Sequence, residues 1–116
     1  MKTAILDTSF ILTAVRQKID FFHELEMRGF SVMIPDLVLR ELGNLSVRKE
    51  AALALAILKK SKFQTVSVKG KNVDSAIINY AREHPKTAVA TLDREIKKKT
   101  KNTKIVIKQK KLIGVA

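Results

Sequence analysis

Apolar residues in this chain fall into two kinds of run that take turns along its length. Short, continuous apolar stretches read as buried strands: residues 3–6, residues 31–34 closed by Pro35, residues 87–92 and residues 104–107. Residues 63–68 alternate at a period of two and read as a further strand, and residues 112–115 as a short edge. Between them the apolar positions recur at helical spacing. Thr8 or Ser9 is expected to cap a helix running to about Arg16. A second helix begins near Asp20, with Phe21, Phe22 and Leu25 facing the core and Gly29 placed to stop it. Pro35-Asp36 opens a third, which carries Leu37, Val38, Glu41 and Leu45 on one face. Gly43-Asn44 weakens it, and a longer helix follows to about Ser61, with Val47, Ala51, Ala54, Leu55 and Leu58 on its stripe. After a turn at 69–72, Asp74, Ile77, Ile78 and Ala81 form the stripe of the next helix, which His84-Pro85 ends. Arg94 to about Lys101 completes the set as a short basic helix. Strands that alternate with helices predict an α/β fold: a mostly parallel sheet with helices on both faces, in one domain over 1–116.

The 116 residues carry 23 Lys and Arg against 11 Asp and Glu, a formal charge of +12. Nucleic acid and an anionic membrane surface are the first partners such a charge suggests. The competing reading is a solubilising or heat-adapted surface. Apolar residues at 46% are enough for a core, and the absence of cysteine excludes disulfides, thiolate metal sites and a cysteine nucleophile. No stretch approaches the ~18 apolar residues a membrane span needs. Asp7 interrupts an apolar N-terminal run too short for a signal peptide, so the expected location is cytoplasmic.

Four of the acids are hard to explain as surface residues. Asp7 and Asp93 each end a strand-like run, and Glu41 and Asp74 fall on apolar helical stripes. In an open parallel sheet, sites form beyond the carboxyl ends of the strands. If the first and fourth main strands are neighbours, Asp7 and Asp93 meet there, and Glu41 and Asp74, each on the helix after a strand, converge on the same edge. A carboxylate on an apolar stripe is costly unless compensated, either by a buried base or by a cation shared among several acids. Each position has a structural alternative: Asp7, Asp74 and Asp93 could cap helices, and Glu41 could be a partly exposed helix residue. Asp20 and Asp36 read as structural first-turn residues, and Glu24, Glu26, Glu50, Glu83 and Glu95 as solvated faces. His23 and His84 have no companion ligands at useful spacing and are not expected to be catalytic. Glycine-rich nucleotide loops and the serine-hydrolase elbow are absent, and Ser9 stands where a haloacid-dehalogenase-like phosphatase would carry its second Asp.

The segments around these acids occur in a familiar order. Ile5-Leu6-Asp7-Thr8-Ser9, then residues 35–42 with Glu41, Val73-Asp74-Ser75-Ala76, and Thr91-Leu92-Asp93-Arg94-Glu95 together resemble the PIN domain family, across essentially the whole chain. The resemblance implies a parallel α/β/α sandwich and a metal-dependent endoribonuclease. Its catalytic and metal-binding acids carry over to Asp7, Glu41, Asp74 and Asp93, and its neighbouring hydroxyls to Thr8, Ser9 and Thr91. Mg²⁺ or Mn²⁺ is the implied cofactor, held by carboxylates to activate water against a phosphodiester. Relatives include toxins of toxin–antitoxin pairs and enzymes of RNA processing or decay. The alternatives are therefore a toxin with a protein inhibitor and a non-catalytic module that binds RNA or protein, with a homodimer as one expected form.

The basic residues cluster beside the last acid. From Arg94 to Lys111 there are nine basic residues and one acid, Glu95. Arg94, Lys97, Lys98, Lys99 and Lys101 are the expected RNA contacts, tracking a backbone at the site edge. With five Phe, one Tyr and no Trp, base stacking is expected to be minor.

Overall fold

The apolar runs become strands β1 (Lys2–Leu6), β2 (Phe30–Pro35), β3 (Gln64–Val66), β4 (Ala88–Ala90), β5 (Lys104–Lys108) and β6 (Lys111–Ile113) in a computed structural model that describes residues 2–108 and 111–113. Their order in the sheet is β3-β2-β1-β4-β5-β6. The first five strands pair in parallel, and β6 returns antiparallel along β5. The expected edge at 112–115 is thus realised in its first two residues; Val115 lies outside the described residues.

Helices α1 (Thr8–Arg16), α2 (Phe21–Met27), α3 (Asp36–Asn44), α4 (Lys49–Lys59), α5 (Val73–Glu83) and α6 (Arg94–Lys99) fill the connections. Right-handed crossovers that step from β1 through β2 to β3 put their helices on one face, and the return to β4 and β5 puts α5 and α6 on the other. The packing agrees: α1 and α3 meet α4, and α5 meets α6. The three-layer α/β/α sandwich follows. Its core runs through the fully buried Ile5, Leu6, Phe10, Ile34, Ile77 and Ile105. Phe10 and Phe21 meet edge to face at 6.4 Å, each side chain contributing about 1.5–3 kcal/mol through burial.

Local chemistry sets the boundaries. Gly29 takes a φ of +83°, the left-handed turn that stops α2 and admits β2. Two strands are shorter than the apolar pattern suggests, because the ladder ends before the pattern does. β3 pairs only as far as Val66 against Pro35, where β2 stops, so Ser67 and Val68 have no partner strand there. β4 pairs with β1 as far as Ala90 against Leu6, and Thr91 and Leu92 leave the sheet. Val47, expected on the α4 stripe, stands before that helix begins and is 95% exposed. Asn102 ties the far edge together: its amide donates to the carbonyls of Ala81, His84 and Thr87 at 2.7–3.0 Å. Beside it the buried Lys104 amine donates to the carbonyls of Thr100 and Asn102.

Candidate active site

The chain turns from β1 toward β2 on one side and comes back to β4 on the other, so β1 and β4 flank the point where strand order reverses. That crevice is where an open parallel sheet presents ligand sites. Asp7 stands in it. Its amide donates to Ala90 O at 3.0 Å, the last bond of the β1–β4 ladder, and its side chain begins α1. The cap is Asp7 itself, not Thr8 or Ser9 as the composition of the turn suggested: a carboxylate directly after the strand reaches the first helical amide at once. Oδ1 accepts from the Thr8 amide at 2.8 Å. Oδ2 accepts from two hydroxyls, Ser9 Oγ at 2.9 Å and Thr91 Oγ1 at 2.8 Å.

Those hydroxyls join Asp7 to the segment after β4. Thr91 Oγ1 accepts from the Asp93 amide at 3.0 Å, and Ser9 Oγ from the Leu92 amide at 3.4 Å. Asp93 caps α6, its Oδ1 accepting from the amides of Glu95 at 2.8 Å and Ile96 at 3.1 Å. The capping alternative therefore holds for Asp7 and Asp93, alongside any other role. It fails for Asp74, because Asn72 caps α5 through a reciprocal box with Ser75. Asp74 stands in the first turn with no hydrogen-bond or ion-pair partner among the described residues. Asp20 and Asp36 are structural, as expected, binding the amides of His23 and Leu37.

Burial differs from the sequence expectation. Asp7 is only 3% exposed, and Asp93 is half-buried, but Glu41 and Asp74 are exposed. The α3 stripe centres on Val38 and Leu42, which puts Glu41 at its margin. On α5 the buried line is Val73, Ala76, Ile77 and Ala81, which leaves Asp74 on the flank.

The four acids nonetheless share one field. Burial pushes the Asp7 carboxyl above its ordinary range, its three hydrogen bonds pull it back, and the Asp74 charge raises it further. Asp74 is raised by partial desolvation despite its exposure, then by the charges of Asp93 and Glu41. Ion pairs among the described residues join Arg28 to Glu24, Arg48 to Glu50 and Lys99 to Glu95, and none reaches these four acids. As they stand, no group of three or more His, Cys, Asp or Glu among the described residues is close enough to hold a metal ion. The donor set itself fits a hard divalent cation: carboxylates that feel one another's charge with no ion-paired base among the described residues, and next to Asp7 the buried Thr8 Oγ1, which has no hydrogen-bond partner among those residues.

A pH dependence follows. A carboxyl with a raised pKa stabilises the fold below its unfolded value and loses that contribution as pH rises through the folded one. In chelator, Asp74→Asn should therefore gain melting temperature relative to the wild type as pH rises above the ordinary aspartate range, about pH 4. Parallel melts of the two proteins check this; a difference that stays constant with pH would remove Asp74 from the cluster.

Comparison with known proteins gives a consistent set. A family model described as PIN like domain matches residues 4–111. Ribonuclease VapC4 of Methanocaldococcus jannaschii is 31% identical, over 99% of this chain and 97% of its own length. The rRNA-processing protein fcf1 of Schizosaccharomyces pombe is 34% identical over 82% of this chain, which spans about half (51%) of that relative. Among solved structures, the PIN domain endonuclease Utp24 superposes with a TM-score of 0.82 at 26% identity, covering 98% of this chain and 95% of that one. The fold also matches VapBC2 from Rickettsia felis, with a TM-score of 0.57 at 14% identity over 90% of this chain and 98% of that one.

Proposed function

We propose that this chain, which belongs to the PIN domain family, is a metal-dependent endoribonuclease. The observation that carries the reading is the placing of Asp7, Glu41, Asp74 and Asp93 around the carboxyl edge, where the charge of Asp74 couples to each of the other three and no ion pair among the described residues neutralises them, in a chain of charge +12. A relative named as a ribonuclease matches over nearly its full length, and a structure named as an endonuclease superposes along the whole chain. Asp7, Asp93, Glu41 and Asp74 would hold Mg²⁺ or Mn²⁺. A bound ion of this kind makes water a nucleophile near neutral pH and neutralises charge on the phosphate.

The chain's own residues prepare that chemistry. Thr91 and Ser9 fix the Asp7 carboxylate with two hydroxyl donors, so its orientation needs no rearrangement when substrate arrives. The same Thr91 hydroxyl positions Asp93 through its amide. Asp74 and Glu41, exposed at the rim, complete the negative surface. Water reaches the site from this open edge, and the cationic body around it draws a polyanion in.

RNA follows the limb after Asp93. Arg94, Lys98, Lys99 and Lys101 are exposed on α6 and the turn beyond it, while Lys97 is half-buried. The Lys99–Glu95 pair at 3.5 Å is exposed and too weak to withhold the amine. Lys110 lies outside the described residues. Replacing Lys97, Lys98 and Lys99 with Gln should flatten the salt dependence of single-stranded RNA binding by about 0.7 in log–log slope per lost phosphate contact. Affinity measured across a salt series in chelator gives that slope; an unchanged value would move the path elsewhere, toward Lys59, Lys60 and Lys62.

A processing or decay role fits the likeness to an rRNA-processing protein and to Utp24. The toxin reading needs a protein inhibitor, and a small protein co-purifying with the chain would favour it. A homodimer and a cytoplasmic location complete the reading; among the described residues no helix is long and apolar enough to cross a membrane.

A further inference from the structure

A second cleft, which includes none of Asp7, Glu41, Asp74 and Asp93, lies between the segment after β3 and α5. It has a volume of about 510 Å³ and is lined by Ser67, Lys69, Asn79, Tyr80, Glu83 and His84. The size suits a small planar ligand. The Tyr80 and His84 rings stack in it at 4.0 Å between centroids and 15° between planes. His84 Nδ1 lies 2.9 Å from Tyr80 O, and a carbonyl can only accept, so Nδ1 donates that bond and Nε2 is left without a partner among the described residues. Asn79 donates its amide to Lys69 O at 3.2 Å, which holds the segment against the helix and leaves Asn79 Oδ1 without a partner among the described residues.

We propose that this cleft is a subsite for one base of single-stranded RNA, stacked on the Tyr80–His84 pair. The inference rests on the ribonuclease reading for the identity of the polymer. Its chemistry is that of a base rather than of a phosphate. An aromatic pair offers a stacking face to any base, and stacking is the usual means of holding unpaired nucleotides. Asn79 Oδ1 and Glu83 accept hydrogen bonds from base N–H groups, and Glu83 repels a phosphate. Lys69 alone is placed for the backbone. The expectation of minor stacking came from the scarcity of aromatics along the chain; it did not anticipate that the single tyrosine would share a cleft with a histidine four residues later. Along α5, Asn79 to His84 lie roughly 8–15 Å beyond Asp74, so the base would sit a few nucleotides from the bond to be cut.

Tyr80 is the only tyrosine, which makes the test specific. With ¹³C-labelled tyrosine, the ring signals of the full chain report on Tyr80 alone. The chain is titrated in chelator with a short single-stranded RNA and with the same strand carrying abasic sugars throughout. The expected result is an upfield shift of the Tyr80 ring signals with the base-bearing strand and none with the abasic strand. Signals that stay in place with base-bearing RNA while it binds, or that move equally with both strands, would overturn the proposal. His84→Ala, which leaves the core untouched, should weaken binding of the base-bearing strand roughly tenfold and of the abasic strand not at all. Equal weakening of both, or of neither, would count against it. Because the titration needs no cleavage, it stands apart from the nuclease reading: a chain that binds base-bearing RNA with the shift but never cuts would fail the latter alone.

Discussion

Asp7→Asn is expected to lower RNA cleavage by on the order of a thousandfold, the loss of several kcal/mol of charge stabilisation, while the fold survives. The fold survives even though Asp7 is buried and caps α1. Asparagine keeps the cap: its Oδ1 can accept from the Thr8 amide as the carboxylate does. Its amide would meet the Ser9 and Thr91 oxygens, and either hydroxyl can rotate to accept instead of donate. The exchange also removes a charge that burial and Asp74 both disfavour. Stability should therefore change by no more than about 1 kcal/mol, read from denaturant melts in chelator. A variant that unfolds would show that the carboxylate is a structural anchor first.

Thr91→Val should behave in the opposite way, with its main effect on stability. The substitution preserves shape but removes the hydroxyl that donates to Asp7 and accepts from the Asp93 amide, at a residue with no exposure. One buried acceptor loses a donor and one amide loses its acceptor. Asp7 Oδ2 keeps its bond from Ser9, so one net hydrogen bond is lost there and the Asp93 amide is left unsatisfied; at about 1 kcal/mol for the first and about 1–3 kcal/mol for the second, the expected cost is roughly 2–4 kcal/mol. Thr91→Ser keeps both bonds and should recover most of it. Cleavage by Thr91→Val should fall as well, because Asp7 and Asp93 lose their shared tether. A melting midpoint equal to that of the wild type would mean that the network contributes little.

Much of this was legible in the residues. Asp7 and Asp93 are marked by their place after apolar runs, and the β1–β4 pairing needed to join them is what parallel topology with a single reversal provides. Glu41 and Asp74 were placed correctly in their helices but not on them. Residues three and four apart define a stripe only to within its width, and both acids lie at the margin, where exposure decides cost. Asn72 went unnoticed as a cap, although Asn72 and Ser75 stand three apart as a capping box requires. Val47 matched the helical period and still stands outside α4, because α3 ends at Asn44 and the chain needs turn residues before Lys49. The double use of Thr91 could not be read at all: it depends on β4 leaving the sheet two residues before its apolar run ends.

The most direct measurement is single-turnover cleavage of an end-labelled single-stranded RNA by the purified chain. Wild type and Asp7→Asn would be run side by side with Mg²⁺, with Mn²⁺ and with chelator. Internal cuts by the wild type are expected to appear with added metal, to vanish in chelator and to be lost in the variant. Cleavage that persists in chelator, or proceeds at wild-type rate in Asp7→Asn, would contradict the proposed function.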